Sequence, residues 1–198
     1  MSRFTAFIDT CALVPVALAD TLLRLAEHGL YRPLWSEEIL RETEQAIERI
    51  HPELAGLARR RTDAMREAFS DACVTGWEPL VTALTLPDSN ARHVLAAAIM
   101  GRADVIVTNN IKDFPEAVLE PLSLSAQTPD EFLLNQLDLD PPLVMVTIRD
   151  QSAAAKRPVI TPHALLNHLA KCHVPRFAEA ATQQLWRIGP KQLSLIHI

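Results

Sequence analysis

Apolar and polar positions along the chain follow two alternating rhythms. Short unbroken apolar runs are separated by longer stretches in which apolar residues recur at helical spacing. Phe4 to Ile8 (FTAFI) is the first run and ends at Asp9-Thr10. It predicts a buried strand of a parallel sheet, where both faces are covered and no polar alternation is needed. From Leu13 to Leu30 the spacing is helical, and Gly29 closes the segment. Tyr31 to Trp35 (YRPLW) predicts a second strand. Ser36 then predicts a helix cap, with Glu37 and Glu38 in the first turn where the helix dipole favours acids. That helix runs through Glu42 toward Ile50, and Pro52 opens another that continues to the region of Ala72. Residues 73–86 hold a strand-like piece and a loop. Leu86-Pro87-Asp88-Ser89 leads into a helix ending near Gly101. Asp104 to Thr108 (DVIVT) is the clearest strand, β-branched, apolar and bounded by Gly101 and Asn109-Asn110. Leu122 to Leu124 predicts a last strand, and Thr128-Pro129-Asp130-Glu131 starts a capped helix to Leu137.

Strands and helices alternate through residue 138, which predicts α/β architecture around a central parallel sheet. Asp138 to Pro142 (DLDPP) reads as a boundary. Residues 143–188 predict two or three further helices, punctuated by Pro158, Pro162 and Pro175. The expected organisation is therefore one α/β unit over residues 1–140 and a small helical extension over 141–198. The closing string KQLSLIHI extends no pattern and reads as a frayed tail or an appended, non-native remnant.

Composition narrows the class. The chain has 198 residues, 48% hydrophobic and 22% charged, the profile of a soluble globular protein. The longest apolar runs fall far short of the roughly 18 residues needed to span a bilayer. MSRFTAF lacks the apolar core of a secretory signal. Cys11, Cys73 and Cys172 are scattered, with no zinc spacing and no disulfide framework, so a reducing cytoplasm is expected and no membrane partner. A net charge of −5 argues against a general nucleic-acid coat protein. It leaves room for a nuclease whose acids gather at a metal site. Arg59, Arg60 and Arg61 form a local basic cluster; a solvated helix face is the plainer reading and contact with an RNA backbone the alternative.

In open parallel sheets, ligands bind beyond the carboxyl ends of the strands. That rule singles out Asp9 after FTAFI, and Thr108-Asn109-Asn110 with Asp113 after DVIV. Glu42 lies on an early helix able to lean over the same crevice. Asp88 and Asn90 stand at the start of the helix before DVIVT. Crowded carboxylates repel, and some stay protonated unless a cation compensates. Mg²⁺ and Mn²⁺ prefer carboxylate, amide carbonyl and water, and such ions activate water toward phosphodiesters. Taken singly, an acid after a strand is more often a cap or a turn former.

The strings FIDTCAL, SEEILRETE, LPDSNARHVLAAAIMGRADVIVTNNIKDFP and TPDEFL resemble, in order and spacing, the PIN domains of VapC-type toxins. The third string is the most specific, and the resemblance covers residues 4–138. It implies a three-layer α/β/α fold and a Mg²⁺- or Mn²⁺-dependent endoribonuclease acting on transfer or ribosomal RNA. It also implies an antitoxin partner that inserts a basic side chain among the acids, and a homodimer. Asp9 matches the first acid and Thr10 the small hydroxyl residue after it. Glu42 matches the helix-borne acid, Thr108 the hydroxyl after the penultimate strand, and Asp113 the last acid. Asn110 stands where many members carry an acid. The helical extension resembles those of some members.

One position departs from the pattern. Ala91, in Pro87-Asp88-Ser89-Asn90-Ala91-Arg92-His93, stands where the third metal-binding Asp is expected. Alanine offers no ligand atom, so metal binding and catalysis should be impaired. Either the change was introduced so that a self-toxic nuclease can be produced, or it is natural and marks a degenerate module that binds RNA or a protein. The intact motif around it favours the first. Arg92 is a candidate phosphate contact. His93 reads as a packed or capping residue rather than a general base, and Trp35 and Trp77 as core. A haloacid-dehalogenase-type phosphohydrolase needs a second Asp two residues after the first, and that position is Cys11.

Overall fold

The computed structural model describes residues 4–155 and 158–189. Its strands are β1 (Thr5–Ile8), β2 (Arg32–Ser36), β3 (Cys73–Val74), β4 (Val105–Val107) and β5 (Ser125–Gln127). They form one parallel sheet in the order β3-β2-β1-β4-β5. The chain builds outward from β1 to β3 on one side, then returns to place β4 and β5 on the other. The switch point therefore lies between β1 and β4, with Phe7 paired to Leu34 on one flank and Ile106 on the other. Every residue of β1 and β4 is buried, as their unbroken apolar sequences require.

The helices are α1 (Thr10–Leu13), α2 (Val16–Glu27), α3 (Glu37–Ile50), α4 (Ala55–Ala68), α5 (Arg92–Met100), α6 (Glu116–Leu119), α7 (Pro129–Leu139), α8 (Pro141–Ala154), α9 (Pro162–Lys171) and α10 (Pro175–Thr182). Helix α5 packs on β2 and β4, while α2 packs on β2 and is backed by α8 and α9. The result is the expected three-layer α/β/α arrangement. Gly101, just past α5, lets the chain press on the sheet: a Cβ there would stand 2.6 Å from Leu34 Cδ1 and 2.8 Å from Val74 Cγ2. Tyr31 meets Phe132 of α7 edge to face at 4.9 Å and donates its hydroxyl to the Leu22 carbonyl at 2.7 Å. Trp35 is fully buried, and Trp77 packs against the core from its rim.

Two expected elements differ. The helix expected over residues 13–30 is shorter, α2 at Val16–Glu27: Leu13 instead ends the short α1, and Pro15, with no N–H to carry α1 onward, stands extended before α2. The last strand is Ser125–Gln127, not Leu122–Leu124. Glu120–Leu122 instead forms a 3-10 turn, and Ser123 turns left-handed (φ 53°) to release the chain into the sheet. Leu124 is apolar because it packs into the core. The true strand is polar because it lies at the sheet edge, half in water.

The segment read as a boundary, Asp138 to Pro142, holds the junction of two helices. Asp140 ends α7 and caps α8, its carboxylate accepting from Leu143 N at 3.0 Å. Buried residues of α8, α9 and α10 join the same hydrophobic cluster as the sheet. The string KQLSLIHI lies outside the described residues. Among the described residues, no helix is long and apolar enough to cross a membrane.

Candidate active site

A cleft of about 630 Å³ opens at the carboxyl ends of β1 and β4. Asp9 follows β1 directly, and its N–H donates to the Val107 carbonyl of β4 at 3.1 Å. Its carboxylate serves as the cap of α1: Oδ1 accepts from Thr10 N at 2.7 Å. Oδ2 accepts from the Thr108 hydroxyl at 2.6 Å and from the Cys11 thiol at 3.4 Å. Thr108 in turn accepts from Asn110 N at 3.1 Å, and Cys11 Sγ from Asn109 N at 3.2 Å. The strand ends are thus knitted together through one carboxylate.

Glu42 reaches the same cleft from α3. Ser36 starts that helix by accepting from Ile39 N, and the next turns carry Glu42 inward. Its Oε2 accepts from the Thr10 hydroxyl at 2.9 Å, and its Oε1 lies 3.3 Å from His93 Nε2 of α5. The other ring nitrogen of His93 is buried without a partner, and the ring leans on Trp77 at 6.0 Å. Asp88 uses its Oδ1 to accept from Asn90 N at 2.9 Å, capping the turn that ends at Ala91. Ala91, 9% exposed, forms part of the cleft wall, while Asn90 stands exposed at its edge. Asn110 and Asp113 complete the opposite rim.

The electrostatics of the two deepest acids differ. Burial pushes the Asp9 carboxyl above its ordinary value, with help from the Glu42 charge; hydrogen bonds from Thr108, Thr10 and Cys11 offset only part of this. Burial also works to raise Glu42, but His93 and Thr10 outweigh it and hold Glu42 below the usual range. Burial beside Asp9 pushes the Cys11 thiol up to about 12, so it is no nucleophile at neutral pH.

The donor set is almost all oxygen, which suits a hard cation, and a desolvated acid facing another acid is what a cation relieves. The number of donors falls short. Among the described residues, no group of three His, Cys, Asp or Glu side chains is arranged to hold a metal ion. Where the sequence pattern places a carboxylate, this chain presents the methyl of Ala91. The residues present therefore do not complete a divalent-cation site.

The candidate basic residues lie elsewhere. Arg92 starts α5 half-buried, with its Nε enclosed and without a partner, and is not among the residues lining the cleft. Arg59 and Arg60 are exposed on α4, away from the cleft lining. Arg61 is not part of a solvated face: it turns inward and donates to the Leu13 and Val14 carbonyls, closing the end of α1. Sequence reasoning missed the Glu42–His93 pair, the Cys11 sulfur in the Asp9 network, and His173, which the helical extension brings to the cleft wall. Cys11 was within reach, two residues after Asp9. Nothing local in the sequence marks His173.

Fold and site together define a class. The PIN domain family model matches residues 5–112, and the chain belongs to that family. A second model, the VapC50 C-terminal domain, matches residues 129–183. The chain is similar to "Putative ribonuclease VapC50" of Mycobacterium tuberculosis (strain ATCC 25618 / H37Rv), at 40% identity over 138 residues, 64% of this chain and 81% of that protein. The chain is thus of the VapC ribonuclease toxin type. No solved structure matches it.

Proposed function

We propose that this chain is a VapC-type endoribonuclease toxin dependent on Mg²⁺ or Mn²⁺, directed at structured RNA such as transfer or ribosomal RNA, and impaired here by Ala91. The observation that carries the reading is the cleft at the sheet's switch point. It gathers Asp9, Glu42, Asp88 and Asp113 from separate segments, with Ala91 in its wall. When bound in a complete site, a divalent cation supplies an activated water and neutralises charge on the phosphodiester. The chain's own residues provide the frame. Thr108 and Thr10 fix the carboxylates of Asp9 and Glu42, and His93 holds Glu42 from across the cleft. Exposed Asn90 and Asn110 offer amide groups at the rim, where an RNA backbone would pass. The acidic cleft also suits a basic side chain from an antitoxin, and a homodimer is the assembly we expect.

A non-catalytic reading has two observations in its favour: Glu42 is already engaged by His93, and no metal-holding trio exists among the described residues. One experiment separates the two. Ala91→Asp protein is incubated with total RNA, with Mg²⁺ or with EDTA, and the ends are mapped. Discrete Mg²⁺-dependent cuts, absent for the unsubstituted chain, support the nuclease. An Ala91→Asp protein that folds and binds RNA yet leaves it intact supports the binding module.

A further inference from the structure

We infer that His173, delivered by the helical extension, is an RNA-contacting residue of the cleft, its imidazole taking a phosphate oxygen of the bound strand. This deepens the proposed ribonuclease reading and rests on it.

His173 lines the same cleft as Asp9 and Glu42, although it is remote from them in sequence. Its backbone is left-handed, at φ 65°. It is the residue just past the cap of α9, where a left-handed turn ends the helix and redirects the chain toward the cleft. Cys172 and Val174 on either side are buried, so the segment is anchored on both flanks. Asp130 of α7, itself 8% exposed, accepts from Phe177 N at 2.8 Å and Arg176 N at 3.3 Å, pinning the start of α10 just beyond. The His173 side chain alone in this segment is exposed between buried neighbours, and among the described residues its ring makes no hydrogen bond or ion pair.

Charge explains why a base belongs there. The cleft lining carries Asp9, Glu42, Asp88 and Asp113, and its only basic residues among those described are His93 and His173. His93 is committed to Glu42. A polyanion entering between these acids meets the rim amides of Asn90 and Asn110 and one basic side chain not committed to an acid, His173. Histidine also tolerates left-handed geometry better than most side chains, so the extension can hold it out rigidly. The extension thereby becomes a wall of the substrate site.

The test uses the full chain. Binding of a labelled random-sequence 20-nucleotide RNA is measured by fluorescence anisotropy for the chain and for His173→Gly, His173→Asp and His173→Arg. Losing one charge-assisted hydrogen bond predicts a Kd raised about tenfold in His173→Gly, more in His173→Asp, and restored in His173→Arg. Glycine relieves the backbone, so His173→Gly should melt at the same temperature or higher; a merely structural histidine would lower it. In an Ala91→Asp background, His173→Gly should raise KM for RNA cleavage and leave kcat within a factor of about three. Unchanged Kd and KM in His173→Gly and His173→Asp overturn the inference while leaving the nuclease reading intact. An Ala91→Asp protein that neither cuts nor binds RNA overturns both.

Discussion

The two walls of the cleft are built to different standards. On the strand-end wall, Thr108, Asp9, Thr10 and Glu42 form a continuous chain of hydrogen bonds between 2.6 and 2.9 Å. Every group there comes from the end of a buried strand or the first turns of a helix, where the backbone has little freedom. On the facing wall, Asp88 caps its own turn, Ala91 offers only a methyl, and His93 leaves one ring nitrogen buried and unpartnered. The difference separates the scaffold of the site from its chemistry. The scaffold persists with the third acid missing, because it is held by strand register and helix caps, which do not depend on residue 91.

If that contrast is right, damage should be unequal. Thr108→Val leaves the buried Asp9 carboxylate without its hydroxyl donor, and should cost about 1–3 kcal/mol. The denaturant midpoint, with slope unchanged, reports it. Asp9→Asn should act in the opposite direction and less strongly, since hydrogen bonds already offset part of the burial. Asp9 titrates above its unfolded value near 3.8, so the fold holds that proton more tightly than the unfolded chain. The penalty for charging it is absent below the unfolded pKa, grows as pH rises through the folded pKa, and is complete above it. Asp9→Asn in EDTA should therefore be more stable than the parent at pH 7, and the gain should vanish near pH 3.

On the facing wall, Asp88→Ala removes a turn cap and should cost about 1 kcal/mol. Glu42→Gln, on the strand-end wall but paired across the cleft to His93, is the smallest change, below about 1 kcal/mol, because that pair is partly exposed. Its pH signature is the mirror of that of Asp9. Glu42 titrates below its unfolded value near 4.5, so its contribution is present above that value and lost as pH falls through the folded pKa. Paired urea titrations on Asp9→Asn and Glu42→Gln should thus shift in opposite directions at pH 7, and both shifts should shrink as pH falls. Shifts of the same sign would break the comparison.

How much of this was legible in the sequence depended on distance along the chain. FTAFI and DVIVT announced the central strands because buried parallel strands need no polar alternation, and Asp9 and Thr108 followed from their position at the strand ends. Ser36 and Thr128 announced their helices by capping chemistry, and both caps are present. The edge strand Ser125–Gln127 was hidden because an edge needs no apolar run, and the nearby Leu122-Ser123-Leu124 mimicked one. Arg61 looked like part of a basic face, yet only the fold reveals the open carbonyls of α1 that it covers. The Glu42–His93 pair and the arrival of His173 arise from packing between distant helices. No periodicity carries that information.

The proposed function turns on residue 91 as the missing acid of a cation site that Asp9, Glu42 and Asp113 would help to form. Calorimetric titration of Mn²⁺ into the unsubstituted chain, Ala91→Asp, and Ala91→Asp with Asp9→Asn tests this directly. The prediction is weak or undetectable binding by the first, affinity at least about tenfold higher in the second, and loss of that gain in the third. Equal Mn²⁺ affinity in all three proteins would contradict it.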